Sequence, residues 1–409
     1  MHRSVRRSTV GFMSAPDSPR FFINPRHGIP GVAVLPHRGF TRAKEAITVW
    51  QGYAPTPLRN LSAIATDTGV AAIRLKDEGP RFGLGSFKAL GGAYAVGKLL
   101  AAELSHRGIA RSADSAELSS GQHAAYTNRL TVTCATDGNH GRSVAWGAQR
   151  FHCGCVIFVH ETVSQGRVDA IAQFGARVVR VPGNYDDAVR EAETQAKRNG
   201  WFVVSDTSYP GYTEIPRDVM QGYRLMADEA ADQWTGAPPT HVFIQAGVGG
   251  AAASVSIQMR ARFDPAPLLI VVEPVNAACL MESAKAGRPT AVQGDLETIM
   301  AGLACGEPSL LAWQELERAT FAFMSIPDEA AAVALRLLAD CGLSVGESGV
   351  AGLAGLRRAA SDPATRTALQ LTTDSRVLLF GTEGITDPAV YERLRIHGEI
   401  SASSTNCGI

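Results

Sequence analysis

The chain has 409 residues, with 39 Lys and Arg against 39 Asp and Glu and 45% hydrophobic residues, so it can bury a large core and is no disordered tail-like protein. Zero formal net charge and a pI near 7.1 remove the electrostatic footprint of generic nucleic-acid binding, and DNA or RNA is not expected as a partner. No apolar run approaches the ~20 residues that cross a bilayer, so no membrane partner is expected either.

Arg3, Arg6 and Arg7 precede the first acid, Asp17, but this stretch lacks an apolar segment and amphipathic periodicity. Residues 1–40 therefore read as an N-terminal extension with a disordered start, and the chain as cytoplasmic. From about residue 70, short β-branched or apolar runs alternate with longer amphipathic stretches, the rhythm of strand-helix-strand units on a mainly parallel sheet. The pattern predicts strands over 70–75, 130–135, 155–159, 177–181, 201–205, 241–245, 268–272 and 377–380. Between them it predicts helices over 89–104, 141–150, 165–174, 185–199, 214–233 and 251–263. Strands with helices on both sides define an open α/β architecture. A length beyond the ~250–300 residues at which single cores stop growing predicts two lobes.

Residues 108–129 break the rhythm: Ser112, Ser115, Ser119, Ser120 and Gly121 lie in a polar stretch that reads as a surface insertion. Seven cysteines are too few for a disulfide framework, and His152-Cys153-Gly154-Cys155 lacks a second pair at zinc-ligand spacing. That set reads as the start of a buried strand, and no metal is expected. Cys279 and Cys305 meet if the segments that carry them are adjacent.

Three segments carry chemistry. In Gly83-Leu84-Gly85-Ser86-Phe87-Lys88 a Gly-rich turn and a capping Ser lead into a helix, which puts Lys88 in the first helical turn. There the positive end of the helix dipole disfavours the ammonium form, and a neutral amine is what a Schiff-base lysine needs to attack a carbonyl. A lone lysine in such a place is also compatible with an ordinary surface side chain. Thr136-Asp137-Gly138-Asn139-His140-Gly141 runs from a strand into a helix, where exposed N–H groups form a carboxylate clamp and Asn139 can hydrogen-bond a planar ring or its hydroxyl. Taken alone it is equally a capped strand-to-helix turn. Gln245-Ala246-Gly247-Val248-Gly249-Gly250-Ala251-Ala252 offers amides to a phosphate, but it also fits G-x-G-x-x-A with Glu273 closing the next strand, as in a NAD-binding oxidoreductase.

Ser86-Phe87-Lys88, Gly138-Asn139-His140 and Gly247-Val248-Gly249-Gly250 occur in the order found in the fold-type II pyridoxal-phosphate enzymes, and residues 50–390 resemble that threonine dehydratase and tryptophan synthase β family. The resemblance implies two-lobed, open, mainly parallel sheets with helices on both faces. It implies pyridoxal 5'-phosphate on Lys88, held by Asn139, Gly247, Val248, Gly249 and Gly250, with Thr382 or a neighbour facing the pyridine nitrogen. Gly346-Glu347-Ser348-Gly349 and Gly381-Thr382-Glu383-Gly384 look like the turns that close round the ring, and Glu273 becomes a structural residue behind the site. The large cofactor-binding domain is expected over 41–88 and 206–400, the small domain over 89–205, and a tail over 401–409.

Asp137, immediately before Gly138-Asn139, departs from the usual small residue; an acid there disfavours a second substrate carboxylate and favours a second amine. With Gln221-Gly222-Tyr223, Asp206-Thr207 and Gly211-Tyr212, the segments are similar to the diaminopropionate ammonia-lyase family. That resemblance implies a homodimer converting the small amino acid 2,3-diaminopropionate to pyruvate and two ammonia. Lys88, Asp137 and Asp206 are then the catalytic residues, and Thr136, Asp137, Gly138 and His140 contact substrate. Lys88 takes the Cα proton from the L enantiomer and Asp137 from the D enantiomer. A serine or threonine dehydratase, a NAD-dependent oxidoreductase and a cofactor-binding protein without catalysis stay open as alternatives.

Overall fold

The computed structural model describes residues 20–396; the first part of the expected N-terminal extension and the expected tail over 401–409 lie outside them. Eleven strands run in chain order: β1 (Arg20–Ile23), β2 (Leu58–Asn60), β3 (Ala72–Asp77), β4 (Thr131–Ala135), β5 (Gly154–His160), β6 (Arg177–Val181), β7 (Phe202–Val203), β8 (His241–Gln245), β9 (Leu268–Pro274), β10 (Ala322–Ile326) and β11 (Arg376–Gly381). They form a seven-stranded sheet ordered β1-β10-β9-β8-β11-β3-β2 and a four-stranded sheet ordered β6-β5-β4-β7. The small sheet is parallel throughout, whereas β1 and β2 pair antiparallel at the two edges of the large one.

Why these strands and no others are evident in the sequence follows from burial. β8 and β10 are buried at every residue, so they read as continuous apolar runs rather than alternating ones. Ala322–Ile326 lies between two helical patterns, Leu310–Ala319 and Asp328–Asp340, and its short apolar run does not stand out from theirs. β1 and β2 are edge strands of four and three residues. β1 also revises the expected extension, because residues 20–23 pair in register with β10.

Both sheets change direction at one strand. β4 lies between β5 and β7, and β8 between β9 and β11, so each is a switch point at whose carboxyl end an open α/β sheet binds ligands. The turn Thr136-Asp137-Gly138 leaves the end of β4, and the Gly247–Gly250 loop leaves the end of β8. Between the two sheets lies the helix Ala89–His106, packed on Asn139–Arg150 on one side and Glu214–Gln233 on the other. The approach is close enough to require glycine: a Cβ on Gly92 would lie 1.9 Å from Ser143 Oγ, and one on Gly222 would lie 1.9 Å from Leu90 O.

Residues 108–129 are more than a surface insertion. Asp114 and Glu117 form a reciprocal capping box on the short helix Ser115–Ser119, Leu118 enters the core, and Trp50 Nε1 donates to Ser115 Oγ. Helices of five and four residues are too short to establish a period in the sequence. Among the described residues no helix is long and apolar enough to cross a membrane.

Candidate active site

Lys88 is the residue at which the helix Ala89–His106 begins. The preceding loop is tied to the segment after β11, since Phe87 N donates to Thr382 O at 3.0 Å and Ser86 pairs with Glu383. Lys88 Nζ, on a side chain 23% exposed, donates to Asp206 Oδ2 at 2.5 Å. The rings of Phe87 and Tyr223 lie 5.4 and 5.6 Å from the same nitrogen, within cation–π range.

The helix dipole does not decide the state of this amine. Burial works to lower Lys88, but the charge and hydrogen bond of Asp206, helped by Tyr223 and Asp137, outweigh it and hold the ammonium above its ordinary range. Burial likewise works to raise Asp206, and the facing His140 and Lys88 overcome it and hold the carboxyl below its ordinary value. The expectation of a lysine made easy to deprotonate by its helix position is therefore corrected: the partner carboxylate wins over the dipole.

The turn after β4 divides its labour. Thr136 is buried, and its Oγ1 accepts from Gly138 N at 3.0 Å and Gly141 N at 3.2 Å. His140 is buried too, with Nε2 2.8 Å from Val204 O and Nδ1 3.7 Å from Asp206 Oδ2. Thr136 Oγ1 thus braces the turn and His140 Nε2 meets the Val204 carbonyl, while His140 Nδ1 has no hydrogen-bond partner among the described residues. Asp137, Gly138 and Asn139 are only partly buried, and Asp137 is near enough for its charge to act on Lys88. Asn139 opens the helix, two residues before the predicted start, and its Nδ2 donates to Glu383 Oε2 at 2.5 Å.

The Gly247–Gly250 loop fits an anion. Gly249 has φ +95°, a conformation that suits glycine, and a Cβ there would lie 3.0–3.2 Å from Leu316, Ala312 and Leu280 side chains. The N–H groups of Gly249 and Gly250 stand at the start of the helix Gly250–Arg262, where no intrahelical acceptor exists, and have no other acceptor among the described residues. Gly250 adjoins Asp206, whose carbonyl oxygen would lie 3.8 Å from a Cβ placed on it. Val248 O accepts from Ser309 N. Cys279 and Cys305 both reach this loop but remain free thiols: Cys279 Sγ lies 3.6 Å from Gly247 O, and a Cβ on Gly247 would lie 2.8 Å from Cys305 Sγ. Burial pushes the Cys305 thiol up to about 12.

Thr382 is buried, with Oγ1 accepting from Gln245 Nε2 at 2.7 Å; its hydroxyl hydrogen has no acceptor among the described residues and is available to a ring nitrogen. Glu273 is spent elsewhere. Its two oxygens accept from Leu280 N and Met281 N, each at 2.8 Å, so it caps the first turn of the helix Cys279–Ala286 and has both oxygens engaged there. The dinucleotide alternative loses its acid.

Glu383, in the turn Gly381-Thr382-Glu383-Gly384, bridges Asn139 and the Ser348 amide. Two further residues of this region have no sequence signature. Arg167 bonds the Asp137 carbonyl, and Tyr185 opens the helix Tyr185–Asn199 within electrostatic reach of Asp206 and Asp137. Arginine and tyrosine on amphipathic helices read as solvated faces, and only the folded topology brings them to the end of β4.

A lysine amine and an anion-binding glycine loop, placed at the carboxyl ends of strands and joined by Asp206, define the class of pyridoxal-phosphate enzymes. The family model of pyridoxal-phosphate dependent enzymes matches residues 49–374. Diaminopropionate ammonia-lyase of Escherichia coli K12 is 42% identical over 361 residues, covering 85% of this chain and 89% of the relative, and that of Salmonella typhimurium is 41% identical over 363 residues with the same coverage. The crystal structure of holo diaminopropionate ammonia lyase from Escherichia coli superposes with a TM-score of 0.85 at 36% identity, covering 93% of this chain and 97% of that one. Threonine deaminase isoform 2 from Solanum lycopersicum shares the fold, at a TM-score of 0.70 and 19% identity over 92% of this chain and 96% of that one. The chain belongs to the diaminopropionate ammonia-lyase family of pyridoxal-phosphate dependent enzymes.

Proposed function

We propose that this enzyme eliminates the β-amino group of 2,3-diaminopropionate, from either enantiomer, to give pyruvate and two ammonia. The observation that carries the reading is the convergence of Lys88 and Asp137, which leave different sheets and come within electrostatic reach of each other beside Asp206. An extra carboxylate in the pocket selects a substrate whose β-substituent is an amine rather than a hydroxyl.

Pyridoxal phosphate, when bound, supplies an electron sink for the charge left at Cα. The Gly247–Gly250 amides would hold its phosphate, and Thr382 and Asn139 would hold its ring. Lys88 would hold the cofactor, and its amine would remove the Cα proton of the L form. Asp137 removes it from the opposite face for the D form. Asp206 receives the ammonium form of Lys88, keeping the transferred proton within one hydrogen bond of the amine. The β-amino group departs as ammonia, and the unsaturated product hydrolyses in water to pyruvate and a second ammonia.

The active form is read as a cytoplasmic homodimer, which light scattering on the purified protein tests. The reaction is tested by supplying each diaminopropionate enantiomer, serine and threonine in separate assays and measuring pyruvate, 2-oxobutyrate and ammonia. Two ammonia per pyruvate from both diaminopropionates, with the hydroxy amino acids turned over much more slowly, is the expected result. Preference for serine or threonine makes the enzyme a dehydratase.

A further inference from the structure

Arg167 stands in the first turn of the helix Gln165–Ala172, beside the small sheet. Its Nη1 donates to the backbone carbonyl of Asp137 at 3.3 Å and its Nη2 to Glu347 Oε1 at 3.0 Å, while Nε lies 3.9 Å from Asp387 Oδ2. Asp387 also accepts from Ser164 Oγ at 2.8 Å, and the same hydroxyl caps the helix by accepting from Arg167 N at 3.4 Å. The contact is shielded from water, with the Arg167 side chain 16% exposed and that of Glu347 1%.

Glu347 and Asp387 belong to segments beside the large sheet, and Asp137 to the turn that ends the small one. One rigid, planar guanidinium therefore spans the boundary between the two sheets with the Asp137 peptide at one end. The other side of the turn is fixed by Thr136, which accepts from Gly138 N and Gly141 N. A lysine has no fork with which to reach the carbonyl and a carboxylate together.

We infer that Arg167 is a positioning residue for Asp137: by holding the Asp137 carbonyl against Glu347 and Asp387, it sets the place of the Asp137 carboxylate relative to the substrate face opposite Lys88. The inference rests on the reading of Asp137 as the base for the D enantiomer. Arg167 touches neither reacting atoms nor Lys88 in this arrangement, so its removal acts through Asp137. A misplacement of about 1 Å at a reacting group costs on the order of 10²-fold in rate.

The test is a mutant cycle of Arg167→Met, Asp137→Asn and the double variant, measured as kcat and KM on both enantiomers, with the visible spectrum of bound pyridoxal phosphate as control. Arg167→Met is expected to lose on the order of 10²-fold in kcat on the D form and much less on the L form. The double variant should turn over the D form no more slowly than Asp137→Asn alone, because the group that Arg167 places is already gone. Multiplied losses in the double variant, or an equal loss of Arg167→Met on both enantiomers where Asp137→Asn distinguishes them, overturn the inference. If Asp137→Asn by itself affects both enantiomers equally, the base assignment is wrong, and merging or multiplying losses in the cycle still decide the positioning role. Should Arg167→Met fail to fold, Glu347→Gln frees the same guanidinium at constant size; a loss biased toward the D form supports the inference and an unbiased or absent loss contradicts it.

Discussion

Lys88 Nζ and Asp206 Oδ2 are 2.5 Å apart, so the ammonium form of the amine is held by a carboxylate from the segment after β7. In the proposed mechanism the lysine has two stations, on the cofactor and, once released, on Asp206.

Asp206→Asn removes the charge that favours the ammonium and keeps a hydrogen-bonding group in place. The Asp206 charge that favours the Lys88 ammonium also favours a proton on an imine nitrogen formed there, so without it the pH midpoint of the visible absorbance of the lysine-bound cofactor should shift downward. Turnover should fall by ~10²–10⁴, the range for loss of a group that handles a proton in the reaction. An unmoved midpoint would mean that Asp206 does not set the state of Lys88.

A buried ionic cluster anchors the loop that leads to Lys88. Arg81 donates to both oxygens of Glu78 at 2.8 Å and to both oxygens of Glu229 at 2.8 and 2.7 Å, and Lys76 lies 2.7 Å from Glu229 Oε2, with all four side chains at most 4% exposed. Arg81→Met leaves two buried carboxylates with one cation between them. A loss of about 3–5 kcal/mol in urea unfolding is expected, and a loss below about 1 kcal/mol would show that the cluster contributes little.

Glu273 gives the stability a signed pH dependence. Burial pushes its carboxyl up to about 8 against the two amides that favour the charge, whereas in the unfolded chain it titrates at about 4.3. Between those values the folded form holds a proton that the unfolded form has released, so this group's contribution to stability declines as pH rises. Glu273→Gln has no such proton. Its stability relative to the wild type should rise by at least about 1 kcal/mol from about pH 5 to about pH 8, read from urea unfolding at each pH; parallel profiles would mean that Glu273 is ionised throughout.

Gly249→Asp puts a side chain where φ is +95° and Leu316, Ala312 and Leu280 crowd the space, and it places a carboxylate beside the phosphate cradle. The variant should be purified without the yellow cofactor. Full pyridoxal phosphate content would place the phosphate elsewhere.

How far the sequence reaches is clear from particular residues. The paths of Lys88, Asp137 and Gly249 are legible because each sits in a Gly-rich turn between a strand and a helix, and such turns have local chemistry. The Lys88–Asp206 pair and the Arg167–Glu347 bond span 118 and 180 positions, and no local pattern specifies them. Glu273 shows the opposite hazard, since a strand-ending acid at dinucleotide spacing serves as a helix cap once the following turn is seen. β10 stayed hidden because its five-residue apolar run lies between the helices Leu310–Ala319 and Asp328–Asp340 and does not stand out from their patterns.

Lys88 is the proposed attachment point of the cofactor, and a direct chemical label tests it. Reducing the holoenzyme with borohydride, digesting it and sequencing the labelled peptide should bleach the colour and leave one pyridoxyl group, on Lys88 in the peptide containing Ser86-Phe87-Lys88. A label on any other lysine, or no label on a protein that contains the cofactor, would contradict it.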